Sequence, residues 1–163
     1  MLPKMIISAD CKKMLDEAIH SELYASNLYK HIANQLQRIG YFGATKFFLK
    51  ESADELEHYQ RHVEFQNDVG TVAKVPMIEA MNDTIETLSD AIETGYETEM
   101  ELYNSYKEWY GRASDDPVVQ QYLLQFLEIQ RTSVGEYGDL LARIDLVDQD
   151  KAGMLLIDQE LGG

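Results

Sequence analysis

The chain has 163 residues, 45% of them hydrophobic, with only 3 Pro and 10 Gly. That is long enough for one domain with a sizeable core and sparing of helix breakers. Its 29 acidic residues outweigh 14 basic ones, a formal net charge of −15, which argues against nucleic acid or an anionic membrane as partner and favours handling of cations. The single cysteine, Cys11, excludes an intrachain disulfide framework. No apolar run approaches the ~20 residues of a membrane span, and Met1 to Ser8 is too short and mixed for a signal peptide. The expectation is a soluble, cytoplasmic protein.

Ser8, Ala9 and Asp10 offer a capped start for a helix reaching about Gln37. Leu15, Glu22, Tyr29 and Leu36 recur every seven residues, and Ile19, Ser26 and Ala33 repeat the same interval four residues on. Together they form a core-facing seam, and Glu22 stands in its middle. A buried carboxylate is costly unless it is paired or binds a cation.

Arg38-Ile39-Gly40 reads as a short turn, followed by a helix from about Tyr41 to Val69. Its seam runs Ala44, Phe48, Glu51, Glu55, His58, His62, Phe65 and Val69: apolar at both ends, polar in the middle. Glu55 and His58 lie three apart and share a helix face. Residues equidistant from a tight turn sit opposite each other in an antiparallel pair, and the midpoint of Glu22 and Glu55 falls inside the turn. The two carboxylates should therefore meet. Glu57 points off the seam. His62, one turn past His58, reads as a satisfied core histidine or as one that supports the ligands from behind. Glu17 and His20 also have Glu-x-x-His spacing but point away from the seam, as does His31, and are expected at the surface.

Residues 70–84 carry no helical pattern. Their extended reach of ~50 Å exceeds the ~40 Å length of the flanking helices, so the segment can cross the bundle and return the chain parallel to the second helix. A third helix is expected from about Ile85, after caps in Asn82-Asp83-Thr84, to Gly111, with Ile85, Leu88, Ile92, Glu99, Tyr103 and Tyr106 on its seam. Ser114-Asp115-Asp116-Pro117 starts a fourth, reaching about Ile144, whose seam of Val119, Leu123, Phe126, Gln130, Ser133, Tyr137, Leu140 and Ile144 has Gln130 as its central polar member. Glu99 and Gln130 are again equidistant from their turn. Glu22, Glu55, His58, Glu99 and Gln130 thus converge at one depth. Residues 153–161 form a short apolar helix that must dock to be stable. The expected fold is all-α: a four-helix bundle over about 9–145 with one long crossover between the second and third helices, plus a short C-terminal fifth helix, all in a single domain spanning 1–163.

Three carboxylates and one imidazole suit Fe, Mn or Zn and lack the thiolates of a closed structural zinc site. Glu55, facing Glu22 and sharing a helix with His58, is the natural bridge between two ions. Tyr29, seven residues from Glu22, can hydrogen-bond a ligand carboxylate.

The chain resembles the ferritin family, and specifically its non-haem members. Glu22-Leu23-Tyr24-Ala25-Ser26 with Tyr29, Glu51-Ser52-Ala53-Asp54-Glu55-Leu56-Glu57-His58, Tyr96-Glu97-Thr98-Glu99 and the tail Leu155 to Leu161 are similar to four family motifs, in order. The resemblance implies a ferroxidase with two iron ions per subunit: Glu22 and His58 on one, Glu55 bridging, Glu99 on the second, and Gln130 hydrogen-bonding near it. It implies oxidation of Fe(II) by O₂ or peroxide and storage of ferric mineral in a homo-oligomeric, 24-subunit cage. Leu56 stands where a haem-ligating Met would be, and Gln130-Arg131-Thr132-Ser133 replaces a second Glu-x-x-His, so no haem is expected. Ile129, Thr132 and Ser133 lack the carboxylates of a third iron site. The alternative is a di-iron oxidase or peroxidase of the same superfamily that stores no mineral.

Overall fold

The computed structural model describes residues 1–163 and consists of five helices: α1 (Ala9–Ile39), α2 (Phe42–Asp68), α3 (Leu88–Arg112), α4 (Pro117–Val147) and α5 (Lys151–Leu161). α1 begins at Ser8, whose hydroxyl accepts from the Cys11 amide at 3.1 Å, and stops at Gly40, whose φ of 96° lets its amide close on the Leu36 carbonyl. The chain then reverses into α2, and α1 and α2 pack antiparallel.

The crossover runs the length of α1. Near its start the Lys74 amide donates to Asp16; near its end the Asp83 carbonyl accepts from His31 at 2.8 Å and Gln35 at 3.0 Å, and the Ile85 amide donates to Gln35. It therefore begins beside the N-terminal part of α1 and ends beside the C-terminal part, returning α3 parallel to α2, as the reach of residues 70–84 predicted. His31, expected to face solvent, is half-buried and helps pin this strap.

α3 starts three residues later than expected. The cap is Thr87, not Asn82-Asp83-Thr84: its hydroxyl takes the Asp90 amide at 3.0 Å and the Asp90 carboxylate takes the Thr87 amide at 2.8 Å, a reciprocal pair that fixes the boundary. Ile85 is buried all the same, packed ahead of the helix. α4 opens on Asp116 with Pro117 in its first turn. α5 starts at Lys151, two residues before the predicted 153, because Asp150 caps it through the Gly153 amide at 2.7 Å.

α2 has no side-chain cap of its own. Asp158 of α5 supplies one, accepting from the Gly43 and Ala44 amides at 3.2 and 2.7 Å. Gly43 permits that approach: a Cβ there would lie 1.8 Å from the Asp158 carbonyl oxygen. This is how the short last helix finds the support it needs. The core runs along the four long helices, with Leu15, Ile19, Phe48, Ile92, Leu123 and Phe126 fully enclosed. The α3 seam turns slightly from the predicted line: Leu102 and Trp109 are buried, while Tyr103 is half-exposed. No helix is long and apolar enough to cross a membrane.

Candidate metal centre

The five polar side chains singled out from the sequence interrupt this core, one each from α1, α3 and α4 and two from α2. Glu22, Glu55, Glu99 and Gln130 are buried and His58 nearly so. The seams that predicted them are real, and both hairpins level their polar residues.

Three of them form a tight group. One ligand atom each of Glu22, Glu55 and His58 lies within 4.8 Å of the others. His58 Nδ1 is 3.6 Å from Glu22 Oε2 and 3.5 Å from Glu55 Oε2. These same three atoms are buried and have no hydrogen-bond partner. Leaving three polar atoms unpaired in a core is costly, and a cation with oxygen and nitrogen ligands satisfies all three together.

The charges tell the same story. Burial opposes ionisation of Glu22, but the neighbouring Glu55 and His58 side chains outweigh it and hold the carboxyl well below its ordinary range. Burial, reinforced by the negative charge of Glu22, pushes Glu55 far up. The two carboxyls are therefore driven apart, Glu22 toward the ionised form and Glu55 toward the protonated one. His58 is drawn up: burial works against its charge, and the Glu22 carboxylate overrides that. A divalent ion bound here would compete with the protons that Glu55 and His58 tend to hold.

Glu99, predicted as a further ligand, falls outside that tight group and is held differently. The Tyr29 hydroxyl donates to its Oε1 at 2.5 Å, and the Gln130 amide nitrogen to its Oε2 at 2.7 Å. Burial raises its pKa while those two hydrogen bonds oppose the rise. The expected contact of Tyr29 with a ligand carboxylate is present, made across the bundle rather than to Glu22 on its own helix. Each oxygen of Glu99 keeps a lone pair, so the group can still face a cation. The buried Gln130 Oε1 has no partner.

Two further residues bear on the group and were not singled out by the sequence. Tyr106 donates its hydroxyl to Glu22 Oε1. It lies seven residues from Glu99, the same interval that drew attention to Tyr29, and the same signal could have found it. Glu51, one turn before Glu55, accepts from Tyr137 at 3.2 Å. Burial and the nearby Glu99 charge lift its pKa to about 7. Tyr137 itself lies against Gly95, where a Cβ would come within 2.3 Å of its ring.

The remaining histidines fall outside the trio. His62 is fully buried between two tyrosines, the satisfied core residue expected. Glu17 and His20 do not join the group but are less exposed than predicted: Glu17 accepts from Trp109 Nε1 and Arg112 at 3.1 Å each, and the His20 ring stacks on Tyr24. Between α1 and α3 a cavity of about 230 Å³ has Ser21 and Thr98, the neighbours of Glu22 and Glu99, on its wall.

The family described as a ferritin-like domain matches residues 12–147 of this chain. The chain belongs to the ferritin family. A probable bacterial non-heme ferritin-like protein of Haemophilus influenzae is 27% identical over 159 residues, covering 96% of each chain. A ferritin of the crayfish Pacifastacus leniusculus is 31% identical, covering 93% of this chain and 87% of its own. A bacterial non-heme ferritin of Campylobacter jejuni is 21% identical over 94% of this chain. Among solved structures, an open pore ferritin from Archaeoglobus fulgidus superposes with a TM-score of 0.93 at 23% identity, covering 96% of each chain. The four-helix fold with its crossover and fifth helix is thus the ferritin fold, and the likeness to non-haem ferritins read from four sequence motifs is borne out.

Proposed function

We propose that this ferritin-family chain, acting as one domain over residues 1–163, oxidises Fe(II) with O₂ or peroxide and stores the ferric product inside a cage of identical subunits, in the cytoplasm. The observation that carries the reading is the trio of unpartnered buried ligand atoms, Glu22 Oε2, Glu55 Oε2 and His58 Nδ1. Iron storage is the general role that family membership supports; the ferroxidase step rests on the site.

In this reading iron is the substrate. The first Fe(II) is held by Glu22, Glu55 and His58, and a second by Glu55 and Glu99, with Gln130 and Tyr29 steadying Glu99. Two Fe(II) ions each give one electron to O₂, which with two protons becomes hydrogen peroxide, leaving two Fe(III). Glu55 carries the strongest requirement, because it faces both Glu22 and His58 and completes the pair of sites. Leu56 and Ser133 speak against haem as a further cofactor.

Size-exclusion chromatography before and after Fe(II) addition in air tests the proposal. The expected result is an assembly near 24 subunits that retains a soluble ferric core, with rapid oxidation lost in Glu55→Ala. A monomer or small oligomer with no soluble core refutes storage. An oxidising protein with no core points instead to a di-iron oxidase or peroxidase.

A further inference from the structure

Beyond the ligand trio the core holds a second polar assembly that the oxidation scheme leaves unused: His62, Tyr106 and Tyr122. The first two are fully buried. His62 Nε2 lies 2.7 Å from the Tyr106 hydroxyl oxygen and Nδ1 lies 2.8 Å from the Tyr122 hydroxyl. Tyr106 in turn donates to Glu22 Oε1.

The hydrogens can be assigned by elimination. The one hydroxyl hydrogen of Tyr106 is committed to Glu22, so the Tyr106 oxygen must accept from His62 Nε2–H. A neutral imidazole has one donor nitrogen, so Nδ1 is the acceptor and takes the hydroxyl of Tyr122. The result is a one-way chain, Tyr122 to His62 to Tyr106 to Glu22, in which every inner group both accepts and donates. Aromatic packing locks each member: Tyr106 stacks on Phe126 at 5.2 Å and meets Trp109 edge-on at 5.0 Å, Phe126 lies 4.5 Å from the His62 ring, and Phe65 stacks on Tyr122 at 3.8 Å.

The chain ends on one oxygen only. Glu22 Oε1 is occupied, whereas Oε2 is the atom left unpartnered and turned toward His58. We infer that Tyr106 and His62 are positioning residues that hold Glu22 as a one-oxygen ligand, fixing its rotamer and presenting Oε2 to the cation. This inference rests on the metal-site reading above. The tyrosine supplies orientation, His62 orients the tyrosine, and Tyr122 selects the tautomer of His62.

Co(II) titration of the purified protein under anaerobic conditions, followed by calorimetry and by the visible absorption of the bound ion, tests it without turnover. Tyr106→Phe removes one oxygen and keeps the ring. The expected result is a loss of about 10–100-fold in affinity for the first Co(II) equivalent, with an altered band pattern as Glu22 Oε1 becomes available for bidentate binding. His62→Leu should behave likewise. His62→Gln should recover most of the affinity, because an amide can donate to Tyr106 and accept from Tyr122 at the same time. Tyr122→Phe, remote from Glu22, should lie between wild type and His62→Leu.

Variants with wild-type affinity and spectrum would overturn the inference and leave the metal-site reading standing. So would weakened binding with an unchanged spectrum and no recovery in His62→Gln, since that marks a packing role alone. Failure of the wild-type protein to bind Co(II) stoichiometrically would instead refute the reading on which the inference rests.

Discussion

Glu55→Gln should stabilise the metal-free protein and abolish its response to metal. In the free state this side chain is a buried carboxyl beside the Glu22 carboxylate, and its Oε2 has no partner. The amide cannot ionise, so it never sets a second negative charge beside Glu22, and its N–H can donate toward the unpartnered Glu22 Oε2. Relief of an unsatisfied buried group contributes about 1–3 kcal/mol, and a chain of this size gains about 2–4 °C in Tm per kcal/mol. The variant should therefore unfold roughly 2–12 °C higher in EDTA. The sign follows from the raised pKa of Glu55. Its native form holds a proton above the ordinary carboxyl range, so apo wild-type stability falls as pH rises above about 4.5. The advantage of glutamine should accordingly grow from pH 5 to 8 and vanish near pH 4. With Zn(II) at a hundredfold excess over Kd the order reverses, because wild type gains about 2.7 kcal/mol from binding and the variant, lacking the shared ligand, gains little. Thermal unfolding followed by circular dichroism, with EDTA and then Zn(II), reads both effects. A variant less stable than wild type in EDTA that still shifts with Zn(II) would refute the reasoning.

Glu51→Gln should flatten a second pH dependence: burial and the Glu99 charge set its pKa at about 7, so wild type loses stability between about pH 4.5 and 7, by at most about 3 kcal/mol, and denaturant titrations across that range should show the loss absent in the variant. Asp158→Ala removes the only side-chain cap on α2 and should cost about 1–2 kcal/mol, read as faster hydrogen exchange at residues 42–45 and in α5. Gly43→Ala should release α5 as well, because its Cβ meets Asp158 backbone at 1.8 Å, and proteolysis should then cleave near Asp148 to Asp150. Gly95→Ala should displace the Tyr137 ring from Glu51 at a cost of about 1–3 kcal/mol, and should move the Glu51 titration seen in the first of these experiments.

What could be read in advance was whatever depends on helical period and on chain reversal at a turn. Glu22 and Glu55 sit opposite each other because a tight antiparallel hairpin has only one register, and the same holds for Glu99 and Gln130. Contacts between helices that are not joined by a tight turn obey no such rule. The two tyrosines show why. Tyr29 lies seven residues after Glu22 on α1, and Tyr106 seven after Glu99 on α3. Because α1 and α3 run antiparallel, each hands its hydroxyl to the carboxylate on the other helix: Tyr29 to Glu99, Tyr106 to Glu22. The spacing is visible in the chain, but the exchange of partners needs the crossover to have fixed the level of α3 against α1. The same limit hid Asp158, whose role depends on where α5 meets the start of α2. The symmetry of the two tyrosines also breaks informatively. Tyr29 abuts Tyr137, which leads to the half-buried, readily protonated Glu51, whereas Tyr106 is backed by His62. The two carboxylates are thus held by unlike supports: the tyrosine on Glu99 stands against a side chain that titrates near neutrality, and the tyrosine on Glu22 against a fully enclosed imidazole.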